Sequence, residues 1–424
     1  MKQIKAVVVG FGDRGSIYAS YALLHPEELK IVGVVDISQK RLALAKQQHN
    51  LSDAQLFTDL DKCLKESLEC DLYINGTMDQ LHYEVLKKLI KTKKAVLTEK
   101  PIVGKKEELL ELEELAKENN TPVYVGHVLR YTPFYKTIKQ LILAGEIGEI
   151  RSMEMAEHVG SAHYAGSYIR GKWNNEEACG STLLLAKSCH DLDIMCWLNN
   201  ITAPHYVSSF GSQRYFKEKD APKEATEFCE DCPLQNECYF SSKNMYVKVD
   251  FSNELTHIDR STQSEKEINA FLRTNNFGRC VYKIKEFNVV DRQVVDVEFN
   301  NGSVCSFALV GGVQEACRTI SVIGTTGEIT GKLEQGIIYL KKDKLNTTNP
   351  DIKVIDVNEF IHKNGLMTNH SGGDYEIMKT LVSHLNGNRD AITITKLSDS
   401  INGHLVAYAA DEAREQHKVV ELKR

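Results

Sequence analysis

Apolar and polar residues alternate along this chain in two rhythms. Over the first 125 residues, short apolar runs at 4–9, 30–35, 71–75, 94–98 and 122–126 read as strands. Between them, segments 38–48, 80–91 and 106–119 have helical period, the last with Leu109, Leu112 and Ala116 on one face. Strands that alternate with helices of about a dozen residues predict a parallel, doubly wound sheet with right-handed crossovers. Beyond about residue 125 the rhythm changes. Helices are predicted at 134–144 and 183–198, with a strand at 150–157, and 205–360 reads mainly as strands. Asn300-Asn301-Gly302 between two alternating runs is a hairpin signal. The C-terminus returns to helix, with Tyr375, Met378, Val382 and Leu385, then Leu397, Ile401, Leu405 and Tyr408, at 3/4 spacing.

The first strand runs straight into Gly10-Phe11-Gly12-Asp13-Arg14-Gly15, a G-x-G-x-x-G in strand–turn–helix context. Gly10 permits the tight turn, Gly12 lets backbone approach a pyrophosphate, and Gly15 allows close helix–strand packing. A helix beginning near Ser16 then turns its free N–H groups toward phosphates. Asp36, closing the second strand, is placed to accept from both ribose hydroxyls of NAD and to repel the 2′-phosphate of NADP; Arg41 softens that repulsion. The expected fold is α/β: a Rossmann NAD(P)-binding domain over 1–125, then an α+β domain over 126–424. The second domain is expected to carry a mixed, largely antiparallel open-faced sheet, an insertion at about 217–245 and C-terminal helices at 371–416.

Composition narrows the class. Fifty-two basic against 58 acidic residues leave a net charge of −6, which argues against nucleic acid or an anionic membrane as partner. No apolar run reaches the ~20 residues of a membrane span, and the first strand begins too early for a signal peptide. A cytoplasmic enzyme is expected. Its eleven cysteines then read as reduced thiols or ligands.

Four further segments, in order, carry a resemblance. They are Asn75-Gly76-Thr77-Met78-Asp79-Gln80-Leu81-His82, Thr98-Glu99-Lys100-Pro101, Gly126-His127-Val128-Leu129-Arg130-Tyr131, and Gly145-Glu146-Ile147-Gly148-Glu149-Ile150. Together they resemble the glucose–fructose oxidoreductase/inositol dehydrogenase family (Gfo/Idh/MocA). The resemblance implies NAD as cofactor, a carbohydrate-like substrate and a homodimer or homotetramer. It also implies contacts to the cofactor from Thr77, His82, Glu99 and Lys100.

Pro101 aims Lys100 off the carboxyl end of the sheet, where open α/β sheets bind ligands and where a lysine can polarise a substrate oxygen. In Lys187-Ser188-Cys189-His190-Asp191-Leu192-Asp193, helical spacing puts Lys187 and His190 on one face and leaves Asp193 close enough to orient His190. The matching family histidine is an acid/base or substrate contact. Family dehydrogenases usually carry a carboxylate four residues earlier, where this chain has Ala186. Either Lys187 replaces it, or the net reaction is not a simple dehydrogenation. The expected function is hydride transfer on a sugar, cyclitol or related polyhydroxy compound. The alternatives are a glycosidase that uses bound NAD catalytically and a non-catalytic ligand-binding regulator.

Cys229-Glu230-Asp231-Cys232-Pro233, then Cys238 and later Cys280, leave two readings open. One is a structural zinc holding the insertion. The other is a set of reduced thiols in a variable loop, with iron–sulfur ligation also chemically allowed.

Overall fold

The parallel strands form because each is followed by a helix that returns the chain to the same sheet edge. In the computed structural model, which describes residues 2–248, 263–344, 348–363, 366–389 and 391–423, six such strands make the first sheet. They are β1 (Ile4–Val9), β2 (Leu29–Val35), β3 (Leu56–Phe57), β4 (Leu72–Asn75), β5 (Ala95–Thr98) and β6 (Val123–Val125). All pair in parallel in the order β3-β2-β1-β4-β5-β6. This order reverses between β1 and β4, and ligands bind at such switch points.

The second sheet has nine strands: β7 (Ile150–Gly160), β8 (Pro204–Ser212), β9 (Arg292–Phe299), β10 (Val304–Val313), β11 (Cys317–Gly324), β12 (Gly327–Lys332), β13 (Ile337–Lys342), β14 (Asp351–Asp356) and β15 (Val420–Glu421). Only β7 and β10 pair in parallel, so the sheet is mixed and largely antiparallel. Gly302, at φ +80°, closes the β9–β10 hairpin expected at Asn300-Asn301-Gly302. Between β8 and β9 the described chain is turns and short helices, including Glu265–Thr274, and not the run of strands expected there.

Helix Leu183–Leu198 starts on the Thr182 cap, which accepts from Leu185 N. Every residue of it except Lys187 is buried, so its polar members, among them His190, Asp191 and Asp193, are enclosed with it. It packs beside helix Leu397–Gln416, where Gly403 permits the approach: a Cβ there would lie 2.8 Å from Asp193 N. Both C-terminal helices reach the first domain, and Leu397–Gln416 also packs into the second through Val406, Ala407, Ala409 and Ala410. Ile377, Met378, Leu381 and Val382 join one face of the first sheet, and Leu397, Ile401 and Leu405 the other.

Candidate active site

The glycine loop is shaped by contact. Gly10, at φ +85°, stands so close to the β4 turn that a Cβ would come within 2.8 Å of the Gly76 and Thr77 backbone. A Cβ on Gly15 would lie 2.0 Å from Gly10 O, whereas one on Gly12 would meet nothing nearer than the Arg41 side chain at 3.7 Å. The first and third glycines are therefore locked by packing, and the second leaves room for a ligand. Helix Asp13–Leu24 begins on Gly12 with no side-chain cap, leaving its first N–H groups for an anion. A cavity of about 930 Å³ opens there, lined by Gly10, Gly12, Asp13, Asp36, Thr77 and Lys100 among others. Asp36 is buried and accepts from Phe11 N and Ser38 N, both at 2.8 Å, with Arg41 Nη1 3.7 Å away. The absence of a cap, the cradle a Cβ would fill and the acid at the end of β2 fit a dinucleotide.

Of the other residues expected to touch the cofactor, Arg14 and Glu99 also line this cavity, whereas Phe11 and His82 do not. The Phe11 ring is buried against His49, outside the cavity lining. His82 is wholly buried, its ring nitrogens 2.7 Å from Pro101 O and 3.0 Å from Thr77 O; it ties two loops together and does not line the cavity. Arg14 is bound bidentately by Asp374, at 2.7 and 3.2 Å, and donates from Nε to Glu99 at 2.8 Å. Burial pushes the Glu99 carboxyl up, but the Arg14 and Lys100 cations outweigh it and hold it below its ordinary value. Asp374 enters from the C-terminal helix Gly373–Leu385, and nothing in the local sequence signals that partnership.

Lys100 joins the cavity to the second domain. It lines the cavity, and its Nζ donates to Ala186 O, 2.8 Å away, on the helix that carries His190. His190 and Lys187 lie behind that wall and do not line the cavity. The expected His190–Asp193 bond is absent: Asp193 is held by Arg130 through Nε at 2.6 Å and Nη2 at 2.5 Å. His190 Nδ1 has no hydrogen-bond partner among the described residues. Lys187 pairs with Glu157 at 3.3 Å. Glue for this network comes from register, because Arg318 on β11 stands directly opposite Glu157 on β7 and also reaches Asp191 at 2.8 Å. Burial pushes Asp191 up to about 6 against the pull of Arg318.

Residues 4–127 match the family described as "Oxidoreductase family, NAD-binding Rossmann fold", and residues 139–422 match its "C-terminal alpha/beta domain". The chain belongs to the Gfo/Idh/MocA oxidoreductase family. It is 24% identical over 307 residues to the putative oxidoreductase YteT of Bacillus subtilis, covering 71% of this chain and 69% of that one. It is 24% identical over 201 residues to inositol 2-dehydrogenase of Corynebacterium glutamicum, covering 46% of this chain and 54% of that relative. Among solved structures, WlbA dehydrogenase from Bordetella pertussis, in complex with NADH and UDP-GlcNAcA, superposes with a TM-score of 0.65 at 13% identity. That match covers 100% of this chain and 99% of WlbA.

Several histidines of this Gfo/Idh/MocA site escape sequence reasoning. His127 lies between His190 and His404, with ring centroids 5.6 and 5.4 Å away, and His370 is 6.2 Å from His190. Burial holds His127, His163 and His190 well below the ordinary imidazole value, helped by Arg130, Lys187 and Lys100 respectively. Burial and His127 lower His404 to about 3. The unfolded chain therefore binds protons that the fold excludes. Stability is full above the unfolded value of 6.5 and is lost as pH falls from there toward these depressed folded values. Between pH 6.5 and 5.5 each such histidine is expected to cost about 1 kcal/mol. Urea midpoints at the two pH values check this, and equal midpoints would reject the neutral-histidine core.

Cys229, Cys232 and Cys238 of the insertion and the later Cys280 line one cavity. No three of their sulfurs come within 4.8 Å of one another. Two sulfurs on one zinc, each at about 2.3 Å, stand at most about 4.6 Å apart. The zinc expectation is therefore not supported: the spacing motif brings the sulfurs to one place but not to one ion.

Proposed function

We propose that this protein oxidises a secondary hydroxyl of a sugar, cyclitol or related polyhydroxy compound with NAD. Lys100 carries the reading, because one side chain both lines the dinucleotide cavity and is anchored on the helix of His190. The glycine-loop N–H groups and Asp36 hold the cofactor, which supplies a hydride acceptor when bound. Lys100 uses one donor on Ala186 O and keeps the others for the substrate oxygen, stabilising charge as its proton leaves. Neutral His190, which stands behind the cavity wall on the helix that anchors Lys100, is the proton acceptor by relay through that wall and not by direct contact with the cavity. Lys187, tied to Glu157, positions this group. The relatives' names, an inositol dehydrogenase and a dehydrogenase holding UDP-GlcNAcA, support the polyhydroxy class. The test is a panel of polyols, sugars and aryl glycosides with NAD. Steady NADH formation supports the proposal; phenol release without net NADH replaces it with NAD-dependent elimination.

NAD is expected to bind more tightly than NADP. Asp36→Ser should reverse the preference by about tenfold, because it removes the acid and frees Arg41 for a 2′-phosphate. Titration of both cofactors against both proteins checks this. An unchanged ratio would remove Asp36 from the ribose site.

The eleven cysteines form no disulfide, which supports a cytoplasmic setting, and among the described residues no helix is long and apolar enough to cross a membrane. We place a homodimer or homotetramer contact on the outer face of the second sheet. There Phe210 is 64% exposed directly opposite Val294, itself 43% exposed. Phe210→Glu should halve or quarter the mass measured by light scattering, whereas a monomeric parent would reject the contact.

A further inference from the structure

We propose that Cys229, Cys232, Cys238 and Cys280 hold an iron–sulfur cluster, with Arg170 as its buried counter-ion. Two stretches of chain are brought together for it. Phe228 and Arg279 form an antiparallel bridge that sets Cys229 beside Cys280, and tight turns return Cys232 and Cys238 to the same place. All four cysteines line a cavity of about 30 Å³ that Arg170 also lines. That is far below the ~300 Å³ of an organic ligand site but suits a compact inorganic group.

Charge makes the second, independent argument. Arg170 is 2% exposed, yet no carboxylate among the described residues pairs with it. Its donors go to Arg279 O at 2.8 Å, Phe240 O at 2.6 Å, Met245 Sδ at 3.3 Å and Cys229 Sγ at 3.5 Å. A guanidinium buried among neutral groups is costly unless an anion faces it. Neutral thiols do not supply one. Four thiolates on a metal centre do, since metal binding deprotonates them and leaves net negative charge. Because no three of these sulfurs lie within 4.8 Å of one another, a cluster, whose thiolates sit on different irons, suits them better than a single zinc. Arg170 also lines the dinucleotide cavity, so the cluster sits behind that wall and braces it.

The full chain, purified without oxygen, should carry iron and acid-labile sulfide in equal number, about two or about four of each per chain. It should also show a broad visible absorbance that dithionite bleaches. Cys232→Ala and Cys238→Ala should each lose most of that iron. Because either variant can fail to fold, the iron and sulfide content of the unaltered protein decides the matter. About one zinc per chain without sulfide would overturn the proposal. So would metal-free protein that stays colourless after incubation with ferrous iron and sulfide while a thiol reagent modifies all four cysteines.

Discussion

Lys100→Met is expected to lower kcat by at least ~100-fold while NAD affinity is largely kept. Methionine retains most of the stem and removes only the ammonium, so the cavity wall survives. What disappears is the donor pointed at the substrate and the link to Ala186 O. The same change has a second consequence. The Lys100 cation helps to hold His190 below the ordinary imidazole value, after the larger effect of burial. Without that cation, His190 gains its proton at higher pH. The residual activity of Lys100→Met should therefore fall off on the acid side at a higher pH than that of the unaltered protein. Stopped-flow NADH formation across pH measures both effects. A variant that keeps more than about a tenth of the rate would remove Lys100 from acid–base chemistry. An unmoved acid limb would separate it electrostatically from His190.

The two parts of this site differ in how far the sequence reveals them, and the difference is physical. The glycine loop is local: strand, turn and helix start lie within a few residues, with Gly15 held against Gly10 O and Gly12 left open to a ligand. The helix Leu183–Leu198 and the β9–β10 hairpin are legible for the same reason. Partners drawn from distant segments are not legible. Helical spacing places Asp193 within reach of His190, but spacing along one helix does not weigh what another segment brings, and Arg130 arrives from 63 residues away to take the carboxylate. Asp374 reaches Arg14 across 360 residues in the same manner. His82 shows the converse. Its motif position suggested a ligand contact, while its two ring nitrogens are already spent on loop carbonyls. The apolar stripes of the C-terminal helices were readable, but a stripe does not name the surface it covers: Gly373–Leu385 packs on the first sheet, while Leu397–Gln416 divides its side chains between the first sheet and the core of the second domain.

The Arg130–Asp193 pair gives the largest expected change in stability. Both side chains are 1% exposed and share two hydrogen bonds, with the guanidinium also 5.6 Å from the centre of the Trp197 ring. Arg130→Met should destabilise the protein by about 3–5 kcal/mol, because it leaves the Asp193 carboxylate buried without its cation. Burial alone pushes that carboxyl above its ordinary value, and Arg130 is what opposes the rise. The single variant should therefore recover part of its stability on mild acidification, when Asp193 takes up a proton, in the opposite sense to the histidine core. Arg130→Met with Asp193→Leu should be far less destabilised than either single change, since replacing both partners by apolar groups strands no charge. Urea denaturation of the four proteins, closed as a double-mutant cycle, measures the coupling. A single-variant loss below about 1 kcal/mol would place the pair in the surface class and detach it from the helix that carries His190.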